Sequence, residues 1–460
     1  MRLRGAVSHH RANPDVHSSA MGGPADVAHR DTPARTSDKV SAIAAPEVLA
    51  AMFFGAVLLG QIAKVPLLST KIKAAPILLS DLLAAALCAW LFASVLVAGR
   101  IRLDRPASFL AGFVAVNALA ISVAAARFDL TAAEVAFSSL YLIRWTLYAA
   151  LYVFALTVLR RAAAPRLIRT AVGVCGIFAA FGIIQSIFLP NFAFIVYPDA
   201  IPYVDWDVQG NRLVSSFLDP NFAGAFIMFG LLFVHASGTE LRRQSYPLLA
   251  VFWVALILTL SRSAIIATLV GLGVLTLRTR SFRRLFVPLT CFALVATLLT
   301  DRLIKSASEY NKLTFLDPSA LSRLSSWLLA WRIFADNPVI GIGYNAFGVV
   351  RAAYGSAVSG NAAFGSDGGV LYLAAVSGIV GVALLGTALW RVAMIGLRTY
   401  RTRTLPRSVR VLGLTLHAWI PSLVVHSAAS NSIFYPFVIG PLFLLGGLCA
   451  RQYYDRAKGA

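Results

Sequence analysis

Charge is scarce in this chain of 460 residues: 13% are Asp, Glu, Lys or Arg, against 58% hydrophobic. A soluble globular domain carries about a quarter of its residues charged, so that class is excluded. Cysteine is scarce too. The four cysteines, Cys88, Cys175, Cys291 and Cys449, all fall in apolar runs, which implies no disulfide framework. Of the seven histidines, four lie in the first thirty residues and none between 301 and 368, so that stretch offers no histidine metal site. Acidic residues number 20 against 41 basic ones. A repeat of fixed period is missing, which argues against a solenoid. An inverted pair of interrupted apolar segments is also missing, which argues against a transporter.

What the chain has is long apolar runs, with a mean hydropathy of +0.74. Runs of about 18 or more apolar residues read as transmembrane helices. Only helices or closed barrels satisfy their backbone groups in lipid, and these runs lack the alternation of a barrel strand. The expected fold is all-α and polytopic. About twelve helices are expected, near 46–63, 77–98, 107–126, 134–158, 168–189, 221–237, 246–260, 263–277, 284–300, 369–392, 409–427 and 433–450.

The excess of positive charge, +21, concentrates in alternate loops: Arg100/Arg102/Arg105, Arg160/Arg161/Arg166/Arg169, Arg242/Arg243, Arg278/Arg280/Arg283/Arg284, Arg391 to Arg410, and the tail with Arg451, Arg456 and Lys458. This is the positive-inside pattern plus attraction to anionic lipid, and no nucleic-acid partner is expected. The organisation that follows is a disordered cytoplasmic tail 1–44, nine spans within 45–300, a long periplasmic loop 301–368 carrying short helices, three spans within 369–450 and a cytoplasmic tail 451–460. Both termini are then cytoplasmic.

A long polar loop inside a membrane protein is usually functional. Helices starting near 221, 263, 369 and 433 all open on its side, and helix N-termini favour anions. Polar motifs stand at these starts. Asp219-Pro220 suits an N-cap followed by a first-turn proline. Arg212, just before it, fits either a snorkelling or salt-bridged arginine or a phosphate clamp. Ser261-Arg262-Ser263 is a tight hairpin that puts a cation at a positive helix end. That local conflict suggests a bound anion or a carboxylate as compensation. In the loop, Leu321, Leu324, Leu328, Trp331 and Phe334 recur at helical spacing, with the helix ending by Asn337-Pro338. Such a helix would lie on the membrane surface or on the bundle, with Arg323 off its apolar face. Asp367, before the next helix, fits an N-cap or a general base. His426 to Ser432 supplies cap and turn residues. Arg144, inside a span, should face the bundle interior.

The order of these motifs resembles the O-antigen ligase and Wzy-type polysaccharide polymerase superfamily of bacterial inner membranes. The resemblance rests on Asn211-Arg212 with Asp219-Pro220-Asn221, then Ser261-Arg262-Ser263, then Arg323 to Asn345 with Asn337-Pro338 and Gly341-Ile342-Gly343, then Ser377-Gly378. It implies a GT-C-like fold and glycosyl transfer at the periplasmic face. It implies a glycan donor on undecaprenyl diphosphate, a glycan acceptor, contact with membrane lipids, and neither cofactor nor metal. A chain-length regulator or export partner is compatible with it. Arg212 and Arg262 correspond to arginines that engage the diphosphate and join Asp367 as catalytic candidates. Arg323, Asn211, Asn221 and Asn345 are the substrate-binding candidates. Ligases of this group carry a histidine where this chain has Asp367, so a polymerase is favoured. The alternatives are a ligase acting on lipid A or protein, and a transporter of lipid-linked sugar.

Overall fold

The computed structural model describes residues 45–69, 74–196, 212–237, 245–282, 318–355 and 368–457, with isolated positions between 286 and 297. Ile43–Ala460 forms one compact unit; the other unit, Met1–Ala42, lies outside the described residues. The fold is all-α. In chain order the helices are α1 (Ala45–Leu59), α2 (Leu79–Ala98), α3 (Arg105–Arg127), α4 (Ala132–Thr157), α5 (Ala164–Phe188), α6 (Phe192–Val196), α7 (Pro220–Ala236), α8 (Ser245–Leu258) and α9 (Arg262–Thr279). There follow α10 (Pro318–Asp336), α11 (Phe347–Val350), α12 (Gly369–Arg401), α13 (Arg407–His426) and α14 (Pro436–Ala457). Eight helices among the described residues are long and apolar enough to cross a membrane, and α7 and α8 are shorter apolar helices. The expected span 284–300 lies largely outside the described residues.

Between α1 and α2 the chain forms an antiparallel hairpin, β1 (Lys64–Ser69) and β2 (Ala74–Leu78), which hydropathy did not announce. Both strands are edges, where Pro66 and Pro76 are tolerated.

Burial follows composition. Helix α7 is apolar on every side and buried along nearly its whole length, as is α14 from Phe437 to Ala450. A helix apolar all round belongs in the interior. Helix α13 joins them, with Trp419 Nε1 donating to Ala225 O across 3.3 Å. Helices α2 and α3 flank this core, burying Leu87, Leu110 and Phe113 in it and exposing Phe92, Leu96, Leu119 and Val123 on their other sides.

The ends of the bundle differ in chemistry. At one end Arg102 and Arg451 both bind Asp455, Arg160 pairs with Glu47 at 2.6 Å, and Arg451 Nη1 donates to the Leu156 and Thr157 carbonyls. This end carries the arginine-rich loops. The other end carries the hairpin and the polar motifs. There, Arg144 resolves into an ion pair with Asp81 at 2.9 Å, and Tyr148 donates to the same carboxylate. The intramembrane charge is thus compensated from the start of α2.

Helix α12 is broken. Gly378 adopts φ 59°, ψ −172° in the middle of it. The segment after α10 fills the break. Ile342 and Gly343 donate to the Ala375 and Val376 carbonyls, while Ile379 and Val380 donate to Pro338 and Val339. The backbone groups that a break would orphan are therefore paired within the protein, as a membrane helix requires. The fit is close: a Cβ on Gly378 would lie 2.2 Å from Val339 O, and one on Gly341 2.4 Å from the Val376 carbonyl carbon.

Helix α10 ends at Asp336, where the Asn337-Pro338 signal put it. Ser326, Leu329, Ala330 and Ile333 turn toward the bundle, whereas Leu324, Leu328 and Trp331 of the expected apolar face are exposed. Leu321's side chain lies outside the described residues.

Candidate functional site

Gln185, fully buried near the end of α5, organises the first part of the site. Its Oε1 accepts from the backbone N–H of both Val214 and Ser215, each at 3.1 Å. Ser215 Oγ donates to Phe178 O at 2.9 Å, and Ser216 Oγ to Leu58 O at 2.5 Å. The segment 212–219 is thereby pinned in a conformation it would not choose alone. Ser215 and Leu218 have φ of 50° and 54°, a region that costs a non-glycine residue about 1 kcal/mol or more.

Arg212 emerges from this segment almost buried. Its Nε donates to Thr259 O at 2.9 Å, and Leu213 N donates to Leu258 O at 2.9 Å. These carbonyls end α8, where unpaired carbonyls and the helix dipole welcome a cation. Leu260, at φ 50°, then turns the chain tightly into α9. Ser261 caps α9 by accepting from Ala264 N at 3.4 Å, and Arg262 opens that helix at an exposed position.

The start of α7 lies against this hairpin. Asp219 Oδ1 caps it, accepting from Asn221 N at 2.7 Å and Phe222 N at 3.0 Å. Ser261 Oγ donates to Asn221 Oδ1 at 2.8 Å. Gly224 makes the approach possible, since a Cβ there would sit 2.6 Å from Ala264 Cβ. Helices α7 and α9 thus open side by side, and Arg212, Asn221 and the Ser261-Arg262-Ser263 turn share one rim. Such a rim can neutralise an anion through guanidinium groups and helix N-termini together.

The loop after α13 closes the site from another side. Tyr435 OH donates to Phe217 O at 3.2 Å, Gln61 Nε2 donates to the same carbonyl at 3.0 Å, and Phe222 stacks on Tyr435 at 3.8 Å between ring centroids. The same loop meets α12 where that helix starts, with Val370 N donating to Ser427 O. Three buried polar atoms near this junction have no hydrogen-bond partner among the described residues: Trp327 Nε1, Asn431 Oδ1 and His426 Nε2. A Cβ on Gly368 would lie 2.7 Å from Trp327 Nε1. His426 is held on its other nitrogen by Ser432 Oγ at 2.7 Å.

Arg212, Arg262 and Asn221 come together. Asn345 stands apart from them, at a left-handed turn (φ 60°) that asparagine tolerates, with its backbone bonded to Tyr372. Asp367 and Asn211 lie outside the described residues. So does the side chain of Arg323, whose backbone is in α10 one turn before Trp327. Gly368, the neighbour of Asp367, belongs to the same end of the bundle as the arginine rim. Sequence reasoning missed Gln185, Gln61 and Tyr435. Gln185 alone carried a signal, an uncharged polar side chain deep in an apolar run. Among the described residues no group of three or more His, Cys, Asp or Glu side chains could hold a metal.

The family model described as O-antigen ligase matches residues 247–386, from α8 through the break in α12. It takes in Arg262, Arg323, Asn345 and Asp367 and stops short of Arg212 and Asn221. No curated protein matches the chain. Over that stretch, less than a third of the chain, this multi-pass membrane protein is similar to the O-antigen ligase family, a match that supports the O-antigen ligase and polysaccharide polymerase superfamily.

Proposed function

We propose that the protein is a bacterial inner-membrane polymerase that joins oligosaccharide repeat units carried on undecaprenyl diphosphate, working at the periplasmic face with both termini in the cytoplasm. The observation that carries this reading is the rim where Arg212, Asn221 and the Ser261-Arg262-Ser263 turn meet at two adjacent helix N-termini. A departing diphosphate develops negative charge, and preorganised donors in a water-poor setting stabilise it strongly.

In the proposed reaction a hydroxyl oxygen of the acceptor sugar bonds to the anomeric carbon of the donor from the face opposite the diphosphate. The anomeric C–O bond breaks, its electron pair leaves on the diphosphate, and configuration inverts. Asp367 takes or orients the hydroxyl proton. Arg212 and Arg262 hold the diphosphate, with Arg323 as a third anion contact and Asn211, Asn221 and Asn345 contacting substrate. Positioning supplies much of the rate, since the leaving group is already stable. The reaction as written employs no metal.

The description of the matching family favours a second reading, a ligase that moves glycan to lipid A or protein. Reconstitution separates them. Purified protein in liposomes with a lipid-linked repeat unit should give a ladder of lengthening glycan, and added lipid A core should not capture it. Asp367→Asn should abolish the ladder. A ladder of undiminished yield from that variant ends the proposal for a carboxylate base, and capture by lipid A core turns the assignment to ligase.

A further inference from the structure

Helix α10 has two apolar sides. One packs inward through Ser326, Leu329, Ala330 and Ile333. The opposite side carries Leu324, Leu328 and Trp331, which are 48%, 54% and 55% exposed, together with the exposed Ala335. These four positions follow the i, i+4, i+7, i+11 spacing of one helix face. Polar exposed residues, Ser325, Arg332 and Asp336, occupy a separate strip between the two apolar sides. A helix standing in water has no use for such a stripe.

The stripe leads into the surface that the spans expose. On α3 the exposed residues Ala115, Leu119, Val123 and Arg127 recur every four residues along one face of a candidate span. Arg127, at the end of that column, donates to Asn337 Oδ1 at 2.6 Å, immediately after α10. Asn337 also donates to Ile333 O at 2.9 Å and to Tyr354 OH at 3.1 Å, so the joint is tied from three sides. Val339, two residues on, is 59% exposed, and it accepts from Val380 beside Ile379, itself 61% exposed on the membrane-crossing part of α12. The outward apolar side of α10 is therefore continuous with the lipid-facing surface of α3 and α12.

We propose that α10 is seated in the bilayer, with Leu324, Leu328 and Trp331 immersed in the acyl chains of the leaflet on the 301–368 side and Ser325, Arg332 and Asp336 at the headgroups. The segment is then a monotopic element of the membrane domain instead of an aqueous loop. An amphipathic helix lying in the interface buries its apolar side a few ångströms below the headgroups, and tryptophan favours that depth. The occupant of the stripe is lipid hydrocarbon. This inference stands independently of the reaction proposed above.

The test uses full-length protein with its four cysteines replaced, one new cysteine at 324, 328, 331, 325 or 332, an environment-sensitive fluorophore on that cysteine, and phosphatidylethanolamine–phosphatidylglycerol liposomes. Lipids carrying a nitroxide on the acyl chain should quench the label at 324, 328 and 331 at least threefold more than at 325 and 332. Aqueous iodide should show the reverse order. Iodide quenching of 328 and 331 equal to that of 325 and 332 overturns the proposal, because the stripe then faces water. Protection of 328 and 331 from both quenchers also overturns it, because protein then covers the stripe. Labelled protein that no longer fuses as one cooperative transition is replaced by Trp331 bromolipid quenching, compared with Trp331→Phe, which reads the same depth without a label.

Discussion

Arg212 Nε donates to the carbonyl oxygen of Thr259 across 2.9 Å, so the arginine and the hairpin that carries Arg262 form one unit. The bond fixes the guanidinium by one edge. Lysine cannot reproduce it, because an ammonium on a flexible stem has neither the Nε–H nor the planar fork. Arg212→Lys should therefore lose most of the activity despite keeping its charge. A fall of at least tenfold, about 1.4 kcal/mol of transition-state stabilisation, is expected in repeat-unit joining by reconstituted protein. Near wild-type rates in Arg212→Lys would show that charge alone suffices.

Gln185 supports the same arginine from behind. Its replacement by leucine leaves two buried N–H groups, those of Val214 and Ser215, without their acceptor. An orphaned buried donor costs about 1–3 kcal/mol. Gln185→Leu should lower the thermal midpoint in detergent and weaken donor binding together. Gln185→Glu keeps the acceptor oxygen and should restore part of both. If leucine changes neither midpoint nor donor affinity, the segment 212–219 is held by something else.

The fold was legible because apolar runs and alternate basic loops report the same thing, a chain threaded repeatedly through lipid. The hairpin between α1 and α2 was not, because Lys64 to Leu78 is short, proline-containing and has no clear alternation. The arginine rim was legible at Arg262, a cation at a helix start that breaks a local rule, and at Arg212, an arginine beside a membrane span that fitted a phosphate clamp as well as a snorkelling or salt-bridged role. Their supports were hidden: Gln185, Gln61 and Tyr435 act through contacts more than a hundred residues apart or from within apolar runs. The break in α12 was half legible. Ser377-Gly378 reads as a turn, but nothing local shows that Pro338 to Gly343 supplies the missing hydrogen bonds.

That break gives a sharp expectation. Alanine at 378 would need an unfavourable left-handed backbone and would place its Cβ 2.2 Å from Val339 O. Gly378→Ala should be strongly destabilising and should release the Pro338–Gly343 segment from α12. Limited proteolysis in detergent should show faster cleavage between α10 and α11. A variant as stable and as resistant as wild type would mean that α12 can straighten without loss.

Acid should act on the opposite end of the bundle. Burial pushes the Asp455 carboxyl up, but the hydrogen bond from Arg102 and the charge of Arg451 outweigh it and hold the group below its ordinary value. A depressed carboxyl contributes stability that is present above the unfolded value of about 3.9 and is lost as pH falls through the lower folded value. Asp455→Asn removes this contribution. Its thermal midpoint should fall below wild type near neutral pH, and the gap should shrink as pH drops toward about 3. A gap that stays constant over that range would remove ionisation of Asp455 from the account.

The pair Arg144–Asp81 lies at the opposite end and tests a different principle. The two side chains are 17% and 12% exposed at 2.9 Å, and Asp81 also accepts from Leu78 N and Tyr148 OH. Removing one partner from such a pair strands the other charge, at a cost of about 3–5 kcal/mol when burial is complete and less here. Arg144→Met should therefore be more harmful than the double variant Arg144→Met/Asp81→Asn, in which neither charge is left over. The coupling between the two positions should reach about 1 kcal/mol or more in a double-mutant cycle read by thermal or denaturant unfolding. Simple additivity would mean that Arg144 is stabilised mainly by the Pro76 carbonyl it also binds, and that the hairpin, more than the carboxylate, accounts for an arginine in the middle of α4.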